Sequence, residues 1–168
     1  MLEIVPVDEI DDDWPYYDRQ VPRRRLSAGS RLAALRRSFF ESAVSTIAPH
    51  RPIRVSTYVL AGPGGDVDAE HALLGEFAEG RNWRVHRERF TDQTPGGPTP
   101  TDLRPEFSRA CRHAGAGFVD GILTTSRQAM PTADDAYEHF LHWLHDRRAF
   151  IAYGQLTPGR DREHASNG

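Results

Sequence analysis

The chain has 168 residues, 38% of them apolar, which is enough to bury one core and supports one globular unit. No run approaches the roughly 18 apolar residues of a membrane span, and the N-terminal stretch MLEIVPVDEIDDDW lacks the basic flank and apolar centre of a secretory signal, so the reading is a cytoplasmic protein with no membrane partner. A lone Cys111 excludes an internal disulfide, and its place inside a predicted helix indicates packing.

The net charge of -3 hides a sorted distribution. Asp8, Glu9, Asp11, Asp12 and Asp13 come first, then Arg19, Arg23, Arg24, Arg25, Arg31, Arg36 and Arg37, with no lysine anywhere. Arginine forks grip phosphate, so Arg23, Arg24, Arg25, Arg31, Arg36 and Arg37 are candidate contacts for DNA or an acidic protein partner, against the plainer reading of a self-neutralising, solvated segment.

Residues 1–29 carry three prolines and many charges without a sustained period and read as a flexible charged arm. From Ser30, Leu32, Leu35, Phe39, Phe40, Ala43, Val44 and Ile47 recur at helical spacing, predicting an amphipathic helix over 30–47 that APHRP ends, within a unit of 30–49. Its stripe is too apolar to leave in water, which predicts docking on the domain or a homo-oligomeric or hetero-partner contact through this helix.

After Pro52 strand-like and helical patterns alternate. IRVSTYVLA (53–61) is β-branched, DVDAEHALLGEFAEG (66–80) is helical, and WRVHRERF (83–90) reads as a strand. A loop rich in proline and glycine follows over 91–103. Then come a helix over 104–114, a strand FVDGILTT (118–125), a helix over 132–147 and a strand AFIAYG (149–154), with a loose tail over 155–168. Alternation of this kind predicts an α/β domain over 50–154 with a mainly parallel sheet and helices on both faces.

In a parallel sheet ligands settle beyond the carboxyl ends of the strands, which singles out LAGPGGD and opens the reading of a small-ligand binder at the Gly62–Asp66 loop. Gly62, Gly64 and Gly65 match neither the dinucleotide fingerprint nor a Walker loop, and Asp66 and Asp68 oppose an anion, so no cofactor is expected. His139, His142 and His145, with Glu138 and Asp146, hint at ligands on one helix, but steps of three residues carry the histidines to different sides, and no metal is expected. Ser126, His113 and Asp120 compose a triad on paper without a nucleophile-elbow sequence.

Two segments, Tyr58 to Asp92 and Arg104 to Gly154, carry TYVLAGPGG, LLGEFAEGRNWRVHRERFTD, LRPEFSRACRHAGAGFVDGILT and RRAFIAYG. Together these resemble the catalytic domain of the serine recombinases, the resolvase and invertase family, with Leu74, Ala78, Trp83 and Asp92 in register in the most specific block. The resemblance implies a resolvase-like fold and, in the family, a serine nucleophile on DNA with arginines stabilising the phosphate in flight.

With Tyr58 in register, the nucleophile position becomes Gly62 and the arginine before it Leu60, while the second arginine block falls on RQAMPT, placing Ala129 and Thr132 where arginines belong and Arg127 out of register. Arg104 keeps its place. That register implies a degenerate, non-catalytic member acting through protein or DNA association. A rival register reads RVST at 54–57 as the nucleophile motif, making Ser56, with Arg54 and Arg104, the centre of an active recombinase, at the cost of a strand TIAPHRPI containing two prolines.

Overall fold

The computed structural model describes residues 27–154 apart from residue 98. The acidic segment, Arg23, Arg24 and Arg25, most of the expected arm and the whole expected tail lie outside the described residues. Four parallel strands, β1 (Arg54–Ala61), β2 (Arg84–Gln93), β3 (Gly121–Thr124) and β4 (Phe150–Tyr153), form one sheet in the order β2-β1-β3-β4. Among the described residues the α-helices are α1 (Ala28–Ile47), α2 (Val67–Gly80), α3 (Pro105–Gly115) and α4 (Asp134–Asp146). The expected α/β architecture is present, with the strand that starts at residue 54 in the sheet interior.

β1 explains why. All but its first and seventh residues are buried, so it needs cover on both faces. Tyr58 points into a core with Phe90, Phe107, Ile122, Met130, Tyr137, Leu141 and Ile151 under α3 and α4, while Val55, Val59 and Ala61 point into a second core with Leu74, Ala78, Leu123 and Phe150 under α2. Cys111 packs against the first core, and burial pushes its thiol up to about 12, which leaves it inert.

α1 closes the β4 edge. Leu32 is buried with the first core and Leu35 and Phe39 pack against it, whereas Phe40, Ala43, Val44 and Ile47 pack against the second. Phe40 meets the Phe150 ring edge-on at 5.2 Å, and Phe39 stacks on His145 at 3.9 Å. Arg31 holds Glu138 on α4 through a bidentate pair of 2.7 and 2.9 Å. The stripe read from the sequence thus packs onto the domain, with Leu32 fully buried and the others half-buried, covering a sheet edge that would otherwise present unpaired strand groups.

Several boundaries differ from expectation. α1 starts at Ala28 because Ser27, rather than a residue nearer Ser30, caps it by accepting the Ser30 amide at 3.2 Å. β2 runs on to Gln93, pairing with Ala61, so the expected loop is shorter and contains a 3-10 turn at Thr101–Leu103. β3 begins at Gly121, where a Cβ would lie 2.4 Å from the Phe150 ring.

Candidate functional site

The carboxyl ends of β1, β2 and β3 open into a cleft of about 560 Å3 lined by Leu60, Gly62, Glu70, Thr94, Gly96, Gly97, Thr125, Ser126, Gln128, Ala129 and Thr132. This is where a parallel sheet places its ligands. Gly62 directly follows the last residue of β1, as the Tyr58 register requires. Among the described residues Glu70 supplies the one charged side chain of this lining, and its Oε2 has no hydrogen-bond partner. Asp66 stands aside, capping α2 through the Ala69 amide at 3.1 Å, and of the Gly62–Asp66 loop only Gly62 reaches the cleft wall.

The arginines nearest this end are turned inward. Arg104 is 1% exposed, and its guanidinium donates to the carbonyls of Thr99, Ala129 (2.8 Å) and Met130, stitching the segment after β2 to the segment after β3. Its Nε has no partner among the described residues. Arg127 donates to the Pro131 carbonyl and lies over the Tyr137 ring at 3.7 Å. Ala129 and Thr132 line the cleft where the resemblance expects arginines.

The grouping of Ser56, Arg54 and Arg104 is not assembled. Arg54 opens β1 at the amino end of the sheet, donating to Asp120 and to the Gly117 carbonyl, whereas Arg104 serves the carboxyl-end segments. Ser56 sits inside β1 with 0% exposure, five residues before the strand ends, and its Oγ lies 3.2 Å from His113 Nδ1. A hydroxyl enclosed between strand and helix has no room for a phosphodiester. The reason is register: Tyr58 Oη donates to Asp92, which also accepts the amides of Glu106 and Phe107 at the start of α3, and this fixes β1 so that Ser56 faces α3.

The paper triad is likewise separate, with Ser126 in the cleft, Asp120 at the amino end of β3 and His113 on Ser56. Among the triplet on α4, His145 and His142 serve as aromatic neighbours of Phe39. His71, buried on α2, bridges Thr57 at 2.9 Å and Thr91 at 2.8 Å, and burial, with Arg89 nearby, lowers its pKa and keeps it neutral.

At the opposite, amino end of the sheet lies a hollow of about 590 Å3 whose lining includes Arg51, Arg54, Arg147, Arg148, His145 and Asp120. Arg51 grips Asp120 bidentately at 2.7 Å through both oxygens, and Arg54 adds its backbone amide at 2.9 Å. Burial by itself would raise the Asp120 pKa, but the hydrogen bonds from Arg51 and Arg54 prevail and bring it down to about 2. Sequence reading missed this hollow. Arg147 and Arg148 are adjacent in the chain, yet only the parallel strand order brings them beside Arg51 and Arg54. A smaller hollow of about 240 Å3 gathers Arg36, Arg37, Arg81 and Glu41, with Arg36 over the Tyr153 ring at 4.9 Å.

Compared with solved structures, the chain is similar to the N-terminal catalytic domain of TP901-1 integrase, with a TM-score of 0.51 and 17% identity over 60% of this chain and 75% of that one. The fold is serine-recombinase-like. No protein-family model and no curated protein matches the sequence. The serine-recombinase-like fold thus agrees with the family expectation at the level of architecture, and the chemistry has to be read from the residues.

Proposed function

We propose that this protein is a resolvase-like domain that does not cut DNA and acts through association with DNA or an acidic protein. One observation carries the reading: the cleft at the carboxyl ends of the strands is lined by glycine, hydroxyls and an unpartnered glutamate, and no arginine reaches it among the described residues. Phosphoryl transfer needs an oxygen nucleophile and several convergent cations to stabilise the charge that develops on phosphate. Gly62 offers no oxygen, and Glu70 repels the phosphate. In the basic hollow Arg147 and Arg148, beside Arg51 and Arg54 that are held on Asp120, support association, since surface arginines grip polyanions without chemistry. Arg36, Arg37 and Arg81 extend the same option on the α1 side.

The test mixes purified protein with supercoiled DNA and resolves the products under denaturing conditions, alongside binding titrations over a range of salt concentrations. No covalent adduct is expected, and binding should weaken steeply with salt. A covalent protein–DNA complex abolished by Ser56→Ala or Ser126→Ala would overturn the non-catalytic reading. Salt-independent binding, or none, would overturn the association with DNA and leave the acidic protein partner.

A second reading rests on the cleft itself, whose volume falls in the range of small-molecule pockets. With Glu70, Thr94, Thr125, Ser126 and Gln128 on its walls it suits a neutral or cationic polar ligand, not a phosphate. A thermal-shift screen of polar amines and sugars checks this, and Glu70→Gln should abolish any hit from an amine.

A further inference from the structure

Where β2 pairs with β1, the register slips: Val55 faces Val85 but Thr57 faces Arg89, so His86, Arg87 and Glu88 stand opposite the single residue Ser56. Such a bulge re-aims side chains. Here it brings His86 and Glu88 beside His113 of α3, with one ligand-capable atom from each within 4.8 Å of the others. We propose that His86, Glu88 and His113 bind a divalent transition-metal ion of the zinc class, clipping the edge strand to α3.

Three features support the site. Two imidazoles and one carboxylate are the donor set that zinc, cobalt and nickel prefer over magnesium or calcium. His113 is already oriented: its Nδ1 lies 3.2 Å from the Ser56 hydroxyl, and with Nδ1 as donor its Nε2 carries the lone pair, 3.9 Å from Glu88 Oε2. This is the outer support that metal-binding histidines commonly have, and it gives the buried Ser56 hydroxyl a task. The Nδ1 lone pair of His86 accepts the Glu88 amide at 3.1 Å, so coordination through Nδ1 has to displace that hydrogen bond, a cost that lowers affinity. Finally, Glu88 is half exposed, so its carboxylate can swing the short distance needed to close a tetrahedral set, leaving the fourth position to water.

The neighbours bear on affinity. Arg109 lies 3.6 Å from Glu88 while holding Glu106 at 2.8 Å, and Arg112 lines the same surface hollow. These guanidiniums compete with a cation, so removing Arg109 should tighten binding. A merely structural cluster would not show that sign.

The full chain, stripped with a chelator and dialysed, is titrated calorimetrically with zinc chloride in millimolar magnesium, and separately with cobalt(II) while the visible spectrum is followed. The expected result is saturation at one ion per chain and the intense visible bands of four-coordinate cobalt. His86→Ala and Glu88→Gln should each weaken zinc at least about tenfold, Ser56→Ala by about tenfold, and Arg109→Ala should strengthen it severalfold. His50→Ala, on a histidine outside the cluster, controls for adventitious sites and should change nothing. Binding that never saturates at one ion, or that ignores both His86→Ala and Glu88→Gln, overturns the proposal. Because His86 and Glu88 lie toward solvent, those two variants keep the test decisive even if His113→Ala fails to fold.

Discussion

At the amino ends of β1, β3 and β4 arginines crowd round one buried aspartate, whereas at the carboxyl ends of the same sheet glycines, hydroxyls and one glutamate line an open cleft. A parallel sheet normally gathers its chemistry at the carboxyl end, since the loops there converge on one crevice. Among the described residues the arginines lie elsewhere. Asp120 accepts from Arg51 and Arg54 at one end of the sheet, while at the other Arg104 and Arg127 turn their guanidiniums onto main-chain carbonyls. Arginine content therefore says little about phosphate chemistry; what matters is whether the guanidinium is already satisfied by the fold.

The sharpest way to break this contrast is Arg104→Ala. If Arg104 is structural, its loss strands the carbonyls of Thr99 and Ala129 and leaves a void, costing about 3–5 kcal/mol in chemical denaturation. A stable Arg104→Ala protein with altered DNA affinity would instead place the residue in a ligand site. Next in size is Leu32→Ala, which removes the anchor of α1 from the core and should cost about 2–4 kcal/mol by the same measurement. A loss under about 1 kcal/mol would mean that α1 leaves the β4 edge readily, freeing its stripe for a partner.

At the amino end, Asp120→Asn should cost about 2 kcal/mol at neutral pH, less than for a fully enclosed pair because Arg51 and Arg54 can rehydrate. The folded pKa near 2 lies below the ordinary 3.8, so this contribution is complete above pH 4 and is lost as pH falls through about 2. Urea midpoints measured across that range should slope less in Asp120→Asn than in the parent. The smallest expected effect is at the carboxyl end: a Cβ on Gly62 meets nothing within 4 Å, so Gly62→Ser should alter stability by no more than about 0.5 kcal/mol. It should also fail to cleave supercoiled DNA, because a hydroxyl alone does not supply the missing arginines. Cleavage by Gly62→Ser would show that the cleft is competent and dissolve the contrast between the two ends.

The order of elements, the parallel sheet and the amphipathic helix over 30–47 were legible in the sequence, because burial on one face or two leaves a period in the residues themselves. Tyr58 and Asp92 could be set in register from their blocks, and the placement of Gly62 just beyond β1 followed from that. Three things had no local signature. The docking of α1 across the β4 edge depends on Phe40 reaching Phe150, more than a hundred residues away. The grouping of Arg51 and Arg54 with Arg147 and Arg148 depends on strand order. The meeting of His86, Glu88 and His113 depends on a bulge that shifts the register by two residues. Periodicity records which side of an element is buried; contacts between distant elements are set by packing and register, and only the folded chain decides them.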